Sequence, residues 1–321
     1  MDPLASLLHE VRSDGALFSR NIVTAPWSVR FAVGTPVSAV TMLRGSGWLV
    51  PGDADPVELG RGDVAVVSGT EPFTVADDAR ATAAPFYVAH RDGCTTADGE
   101  PLDDGVHLGP RTCGNGPDGL DGPNVLLTGS YQVDGRVSER LLGGLPRVLV
   151  VRRDDDRHGG LGPVLGLTDL EIGRDEPGQQ AVLDRLLDLL LLSTLREWFS
   201  RPDTDPPAWY RALGDPVVGR ALRLLHDRPA HPWTVGELAG ATGVSRATLA
   251  RRFTDLVGEP PMTYLTGWRL GLAADLLARS DATVETVARR VGYRSAFGLS
   301  VAFKRVYGTR PSHHRTVAPR A

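Results

Sequence analysis

Thr234-Val-Gly-Glu-Leu-Ala-Gly-Ala-Thr-Gly-Val-Ser-Arg-Ala-Thr-Leu-Ala-Arg-Arg-Phe253 returns further along the chain as Thr283-Val-Glu-Thr-Val-Ala-Arg-Arg-Val-Gly-Tyr-Arg-Ser-Ala-Phe-Gly-Leu-Ser-Val-Ala-Phe303. Thr234, Val235, Leu238, Ala239 and Gly243 recur as Thr283, Val284, Val287, Ala288 and Gly292, an offset of 49. Ser245, Leu249 and Phe253 recur as Ser295, Leu299 and Phe303, an offset of 50, so the extra residue falls between glycine and serine. In each copy a threonine stands where it can cap a short helix, and Glu237 completes a Thr-x-x-Glu capping box with Thr234. The glycine then supplies a left-handed turn, and the serine caps a second helix. Leu249 with Phe253, and Leu299 with Phe303, share a face that packs back on the first helix. The pattern predicts helix, tight turn, helix, twice.

The outward face of the first unit carries Arg246, Ala247, Thr248, Ala250 and Arg251; that of the second carries Ser295, Ala296, Phe297, Gly298, Ser300 and Val301, with Lys304 one turn on. Guanidinium groups match phosphate or the acceptor edge of guanine, and small side chains let a helix approach a major groove closely. Between the units, Pro260–Arg279 reads as one helix with Tyr264, Leu265, Trp268, Leu272, Leu276 and Leu277 on an apolar stripe. At 1.5 Å per residue it spans roughly 30 Å, close to the ~34 Å between major-groove faces one duplex turn apart. Charge follows the same division. Residues 215–321 hold 16 Lys+Arg against 8 Asp+Glu, a balance of +8, and residues 1–214 hold 19 against 31, a balance of −12. A basic segment on an acidic protein suits neutralisation of phosphates by one domain.

Ala288-Arg-Arg-Val-Gly-Tyr-Arg-Ser-Ala-Phe297, followed by Phe303-Lys304 and Gly308-Thr309-Arg310-Pro311, resembles the signature of the AraC/XylS transcription regulators. The resemblance covers the last third of the chain and implies two helix-turn-helix units joined by a long helix, each laying its second helix in a major groove. Carried over by position, Ala247, Thr248, Ala250 and Arg251 face bases from the first unit, and Ala296, Phe297, Gly298, Ser300 and Val301 from the second. Arg246 and Lys304 hold phosphates. Phe297 and Val301 stand where polar residues are common in such proteins, which shifts base reading toward the first unit. RNA polymerase is a partner by the same resemblance.

The rest of the chain has a different texture. Short β-rich runs (37–43, 47–50, 63–67, 86–90, 124–127 and 147–151) are separated by Gly- and Asp-rich turns, the pattern of an antiparallel sandwich or barrel. Arg44-Gly45-x-Gly47-Trp48 and Leu59-Gly-Arg-Gly62-Asp63-Val64 look like the strand–turn pattern of a cupin barrel. Metal-dependent cupins place histidines at these turns, whereas this chain has Trp48, Leu49 and Phe73, so metal-centred catalysis in the barrel is not expected. Residues 91–123, rich in Gly, Asp, Thr and Pro, read as largely loop. His90, Cys94, His107 and Cys113, which include both cysteines of the chain, lie within or beside it. Three readings stand open for them: two ordinary thiols, a zinc site of the two-Cys, two-His type, or a thiol pair that closes to a disulfide under oxidant.

Residues 178–200 read as a helix whose leucines exceed one face, so the surplus meets either the barrel or a second subunit. Arg201-Pro-Asp-Thr-Asp-Pro-Pro207 ends it. We therefore expect an α+β protein: a cupin-like sensor domain over 1–177 built as an antiparallel β-barrel, a helical dimerisation and linker segment over 178–207, and an all-α double helix-turn-helix domain over 208–321. Length, 41% hydrophobic content and 23% charged content suit a globular protein of two domains. No apolar run is long enough to span a bilayer, and Met1-Asp2-Pro3 does not open a signal peptide, so a cytoplasmic protein without a membrane partner is expected. The reading is a sequence-specific, dimeric regulator of double-stranded DNA, not an enzyme, requiring no cofactor and controlled by a small molecule, a metal or thiol redox state. Its alternatives are a constitutive dimeric binder with a non-sensing barrel, and a cupin enzyme fused to a DNA-binding domain.

Overall fold

The computed structural model describes residues 11–12, 18–80, 85–90, 93–102, 106–109, 111–115, 122–133, 136–137 and 142–317. They fall in two compact units, a β-rich one (Val11–Val133 with Leu145–Thr204) and a helical one that takes in Asp134–Gly144 and Asp205–Ala321.

The strands of the β-rich unit are β1 (Val11–Arg12), β2 (Phe18–Val23), β3 (Ser28–Phe31), β4 (Val37–Arg44), β5 (Gly47–Pro51), β6 (Val57–Leu59), β7 (Val64–Ser68), β8 (Phe73–Ala76), β9 (Tyr87–His90), β10 (Gly93–Thr95), β11 (His107–Gly109), β12 (Thr112–Gly114), β13 (Asn124–Val133) and β14 (Val148–Val151). One sheet runs β11-β12-β2-β13-β4-β7-β14 with β1 beside β13, and the other runs β10-β9-β3-β8-β5-β6. Pairing is antiparallel except where β12 meets β2 and β3 meets β9. Alternating inward residues of both sheets, such as Val40, Met42 and Leu126 from one and Val29, Leu49 and Phe73 from the other, share a single core. Among the described residues the architecture is cupin-like but consists of two ladders, not one closed barrel. Residues 91–123 also hold more order than a loop, since β10, β11 and β12 lie there.

The two glycine motifs have separate reasons. Gly45 turns with φ +69°, and a Cβ there would lie 2.0 Å from the Asn124 Oδ1. After Gly62 (φ +83°), Asp63 ties the turn down by accepting from the Gly60 N–H (2.9 Å), the Arg153 N–H (2.9 Å) and the Arg152 guanidinium (2.8 Å). Two helices follow, α1 (Leu161–Ile172) and α2 (Gln179–Phe199). Most leucines of α2 are buried within the unit, Leu183, Leu187, Leu190, Leu191 and Leu195 among them. Gly129 lets Leu187 approach β13, since a Cβ would sit 2.4 Å from its Cδ2, and the Tyr131 hydroxyl donates to the Leu187 carbonyl (2.8 Å). Leu167 and Leu170 of α1 and Val182 and Leu189 of α2 remain 45–65% exposed.

The helical unit runs α3 (Ala208–Leu213), α4 (Val218–Asp227), α5 (Val235–Thr242), α6 (Arg246–Val257), α7 (Pro261–Arg279), α8 (Val284–Arg290), α9 (Ala296–Tyr307) and α10 (Pro311–Val317). It holds two cores. Leu222, Leu225, Leu238, Leu249 and Phe253 pack with Tyr264 and Leu265 from the first half of α7. Val287, Ala288, Leu299 and Phe303 pack with Leu270, Ala273, Ala274 and Leu277 from its second half. The short Arg136–Val137 segment seats on the same helix: Val137 is buried, the Arg136 N–H donates to Asp275 Oδ1 (2.8 Å), and a Cβ on Gly271 would lie 3.0 Å from Val137 Cγ2. No helix among the described residues is long and apolar enough to cross a membrane.

Leu265 and Leu277 are both buried but in different cores. Leu265→Ala and Leu277→Ala are each expected to destabilise the helical unit by about 2–5 kcal/mol, measured by urea unfolding of the full chain.

Candidate nucleic-acid interface

The first helix-turn-helix is α5, a turn at Gly243, and α6. Thr234 caps α5 reciprocally: its hydroxyl accepts from the Glu237 N–H (3.1 Å) while the Glu237 carboxylate accepts from the Thr234 N–H (2.9 Å). Gly243 turns the chain at φ +74°, and Ser245 caps α6 by accepting from the Thr248 N–H (3.1 Å). Leu249 and Phe253 are fully buried, which points Arg246, Ala247 and Arg251 outward with Thr248 and Ala250 half-buried beside them. The neighbours Arg251 and Arg252 have different fates. Arg252 pairs with Asp215 (Nε to Oδ2, 2.8 Å), whose other oxygen accepts from the N–H groups of Val217 and Val218 at the start of α4. Arg251 stays exposed on the outer face. Burial works against the Asp215 charge, but the Val218 N–H, Arg252 and the Val217 N–H outweigh it and hold the carboxyl below the usual aspartate range. This pairing escaped the sequence reading. Its one signal was Asp215-Pro216 ahead of a helix; nothing in the sequence ties it to Arg252.

The second unit repeats the geometry with different chemistry. Thr283 accepts from the Thr286 N–H (3.2 Å), Gly292 turns at φ +88°, and Ser295 accepts from the Gly298 N–H (3.2 Å). Leu299 and Phe303 are buried, while Phe297 and Val301 are 79% and 55% exposed and Lys304 is exposed beyond them. Ala296, Gly298 and Ser300 are half-buried and Ser295 exposed. By the repeat offsets, Gly236 and Arg246 correspond to Glu285 and Ala296. In the first unit the Arg246 guanidinium lies over Gly236, where a Cβ would be 2.8 Å from its Nε. In the second, Glu285 reaches the other way and accepts from the Ala296 N–H (2.9 Å). The same spot is thus cationic in one unit and anionic in the other.

The two units are braced as well as joined. Arg269 of α7 donates from Nε to the Pro229 carbonyl (2.7 Å) and from Nη2 to the His231 carbonyl (2.7 Å). Gly292 packs on that loop, since a Cβ there would lie 2.8 Å from Ala230 Cα. The turn of the second unit is therefore held against the segment that leads into the first.

In the β-rich unit, the positions where metal-dependent cupins carry histidine are apolar and packed: Leu49 is buried and Phe73 stacks on Phe31 with centroids 5.1 Å apart. These residues do not fit a metal. Among the described side chains, His90 does not join Cys94 and Cys113 as the zinc site weighed for His90, Cys94, His107 and Cys113 requires. Cys94 pairs with Ala89 across β10 and β9 and shares its inward face, so alternation along β9 puts His90 on the opposite face. There its Nε2 is 3.1 Å from the Thr95 hydroxyl. The side chain of His107 lies outside the described residues. Among those described, no three His, Cys, Asp or Glu side chains gather as metal ligands. Cys94 and Cys113 themselves do come together.

Comparison with known proteins adds a finding that covers the whole chain. Residues 2–200 match a family described as Cupin, and residues 238–316 match a Helix-turn-helix domain. A putative AraC-like transcription regulator of Streptomyces antibioticus is 33% identical over 98% of this chain and 98% of its own length. The HTH-type transcriptional regulator AlkR of Acinetobacter baylyi is 26% identical over 98% of this chain and 99% of its own. Among solved structures, the DNA-binding domain of AdpA in complex with a target DNA is 33% identical, covers 32% of this chain and 92% of that domain, and has a TM-score of 0.31.

The Asp215–Arg252 pair yields a pH test. A carboxyl whose folded-state pKa is depressed contributes stability that is in place above the unfolded value of ~3.9 and fades as pH falls through the folded one. The wild-type chain is expected to be more stable than Asp215→Asn from pH 7 down to about 5, with the gap closing below about 4; chemical denaturation across that range measures it.

Proposed function

The chain belongs to the AraC-like transcription regulators, and on that premise we propose that it reads a specific DNA sequence chiefly through α6, as a dimer whose β-rich unit takes an effector. The observation that carries the reading is the division of labour at Arg251 and Arg252: one arginine is bound into the fold by Asp215, the other is exposed among small side chains on the outer face of α6. Arg246 supplies a second cation on that face. On α9 the exposed Phe297 and Val301 suit the methyl groups of thymine, and Lys304 suits a phosphate. Specificity then rests mainly on the first unit, with the second giving apolar contact and anchorage.

The test is a duplex selected by the protein from random sequence. Arg251→Ala is expected to weaken binding to it by about 1–3 kcal/mol and to relax selectivity at one position, and Lys304→Ala to weaken all sequences alike and flatten the salt dependence. Unchanged affinity and selectivity in Arg251→Ala would remove α6 as the reader.

Dimerisation and effector control rest on the β-rich unit. Leu167, Leu170, Val182 and Leu189 give α1 and α2 an exposed apolar surface that a second copy would cover. Leu170→Glu combined with Leu189→Glu is expected to convert the protein from dimer to monomer in sedimentation equilibrium. A cleft of about 450 Å³, lined by Arg61, Arg153, Asp156, Leu161, Leu165 and Asp169, is of the size that takes a small molecule. An effector acts by favouring the arrangement of the protein that it binds better, and no step needs catalysis. The setting is the cytoplasm, with RNA polymerase as the downstream partner.

A further inference from the structure

Beside buried hydroxyls such as Ser38, Thr128 and Ser130, a polar seam links the two sheets of the β-rich core. Tyr87 of β9 and Asn21 of β2 are both fully buried, and the tyrosine hydroxyl donates to Asn21 Oδ1 across the core. Asn21 pairs along the ladder with Cys113 of β12, and Cys94 of β10 pairs with Ala89, which sits inward in the same core. Cys113 is 6% exposed, Cys94 is half-buried on the edge strand of the other sheet, and their thiols are within hydrogen-bonding reach. The only two cysteines of the chain therefore meet, from different sheets, at one point.

We propose that Cys94 and Cys113 form a reversible dithiol–disulfide site for hydroperoxides, and that its closure is the input through which the β-rich unit controls DNA binding. The site deepens the effector-control reading above and rests on it for its consequence, not for its chemistry. Cys94 is the thiol an oxidant meets first, by exposure. The hydrogen bond from Cys113 favours its thiolate against the cost of burial, and the same bond with burial keeps Cys113 protonated. The Cys94 thiolate attacks one peroxide oxygen: an S–O bond forms, the O–O bond breaks, and the leaving oxygen takes a proton and departs as water when the oxidant is hydrogen peroxide. Cys113 sulfur then attacks the Cys94 sulfenic acid, the S–S bond forms, the S–O bond breaks, and hydroxide leaves with the Cys113 proton as a second water. Two electrons pass from the sulfur pair to the peroxide, and a dithiol reductant returns them. The closed bond would staple β10, an edge strand of one sheet, to β12 of the other.

The experiment uses the full-length protein, reduced and then treated with hydrogen peroxide. Peptide mapping under non-reducing conditions is expected to find a Cys94–Cys113 disulfide within one chain, with loss of two hydrogens in intact mass and reversal by dithiothreitol. Cys113→Ala is expected to halt at a Cys94 sulfenic acid that dimedone traps. Affinity for the selected duplex is expected to change about five-fold or more on oxidation of wild-type protein, and not in Cys94→Ser. Thiols that stay reduced, or disulfides only between chains, would overturn the site. A mapped disulfide that leaves duplex affinity unchanged would overturn its control of DNA binding. Failure of both redox forms to select any duplex would instead sink the DNA-reading proposal, while the peptide map still judges the thiols.

Discussion

The helical unit depends on α7, Pro261–Arg279, because that one helix completes two hydrophobic cores at once. Tyr264 and Leu265 close the core of the first helix-turn-helix, and Leu270, Ala273, Ala274 and Leu277 close that of the second. Neither unit of two short helices could bury enough apolar surface alone. Shared burial on a single rod fixes the distance between them, and Arg269 with Gly292 adds a brace through the Pro229–His231 loop. The spacing of the two outward helices is thus a by-product of core packing. Nineteen residues of helix make it about 28 Å long.

Within that frame the two units have diverged at the surface while keeping their interiors. The threonine caps, the left-handed glycines, the serine caps and the Leu–Phe pairs are common to both. The outer faces are not. Arg246 over Gly236 places a cation beside the start of the first reading helix, and Glu285 on the Ala296 N–H places an anion at the start of the second. That contrast supports the proposal that base reading is concentrated in α6.

Much of this was legible in the sequence, for a physical reason. Caps, αL glycines and i,i+4 apolar pairs are local, and a repeat prints them twice, so α5 through α9 could be traced closely. The Asp215–Arg252 pair could not, because its partners are 37 residues apart and each also fits a surface role. Helix α1 was missed because Gly162, Pro163 and Gly166 mask its periodicity. The grouping of His90 with Cys94 failed on alternation: with residues 91–123 read as loop, the β9–β10 pairing that separates their faces was not anticipated. The same pairing brings Cys94 to Cys113, so the error and the polar seam have one cause.

The β-rich unit complements this picture by what fills it. Leu49 and Phe73 fill positions where metal-dependent cupins carry histidine, and Asn21, Tyr87, Cys94 and Cys113 form a polar seam in the same core. In the proposed reading α7, by joining both cores, holds α6 and α9 a fixed distance apart so that both can meet one side of a duplex. The most direct test of that reading is the affinity of the protein for a selected duplex into which about 5 bp, half a helical turn, is inserted between the two contacted segments. The expected result is loss of the share of affinity that α9 supplies, while the preference for the segment read by α6 persists. Affinity indifferent to the insertion would contradict it.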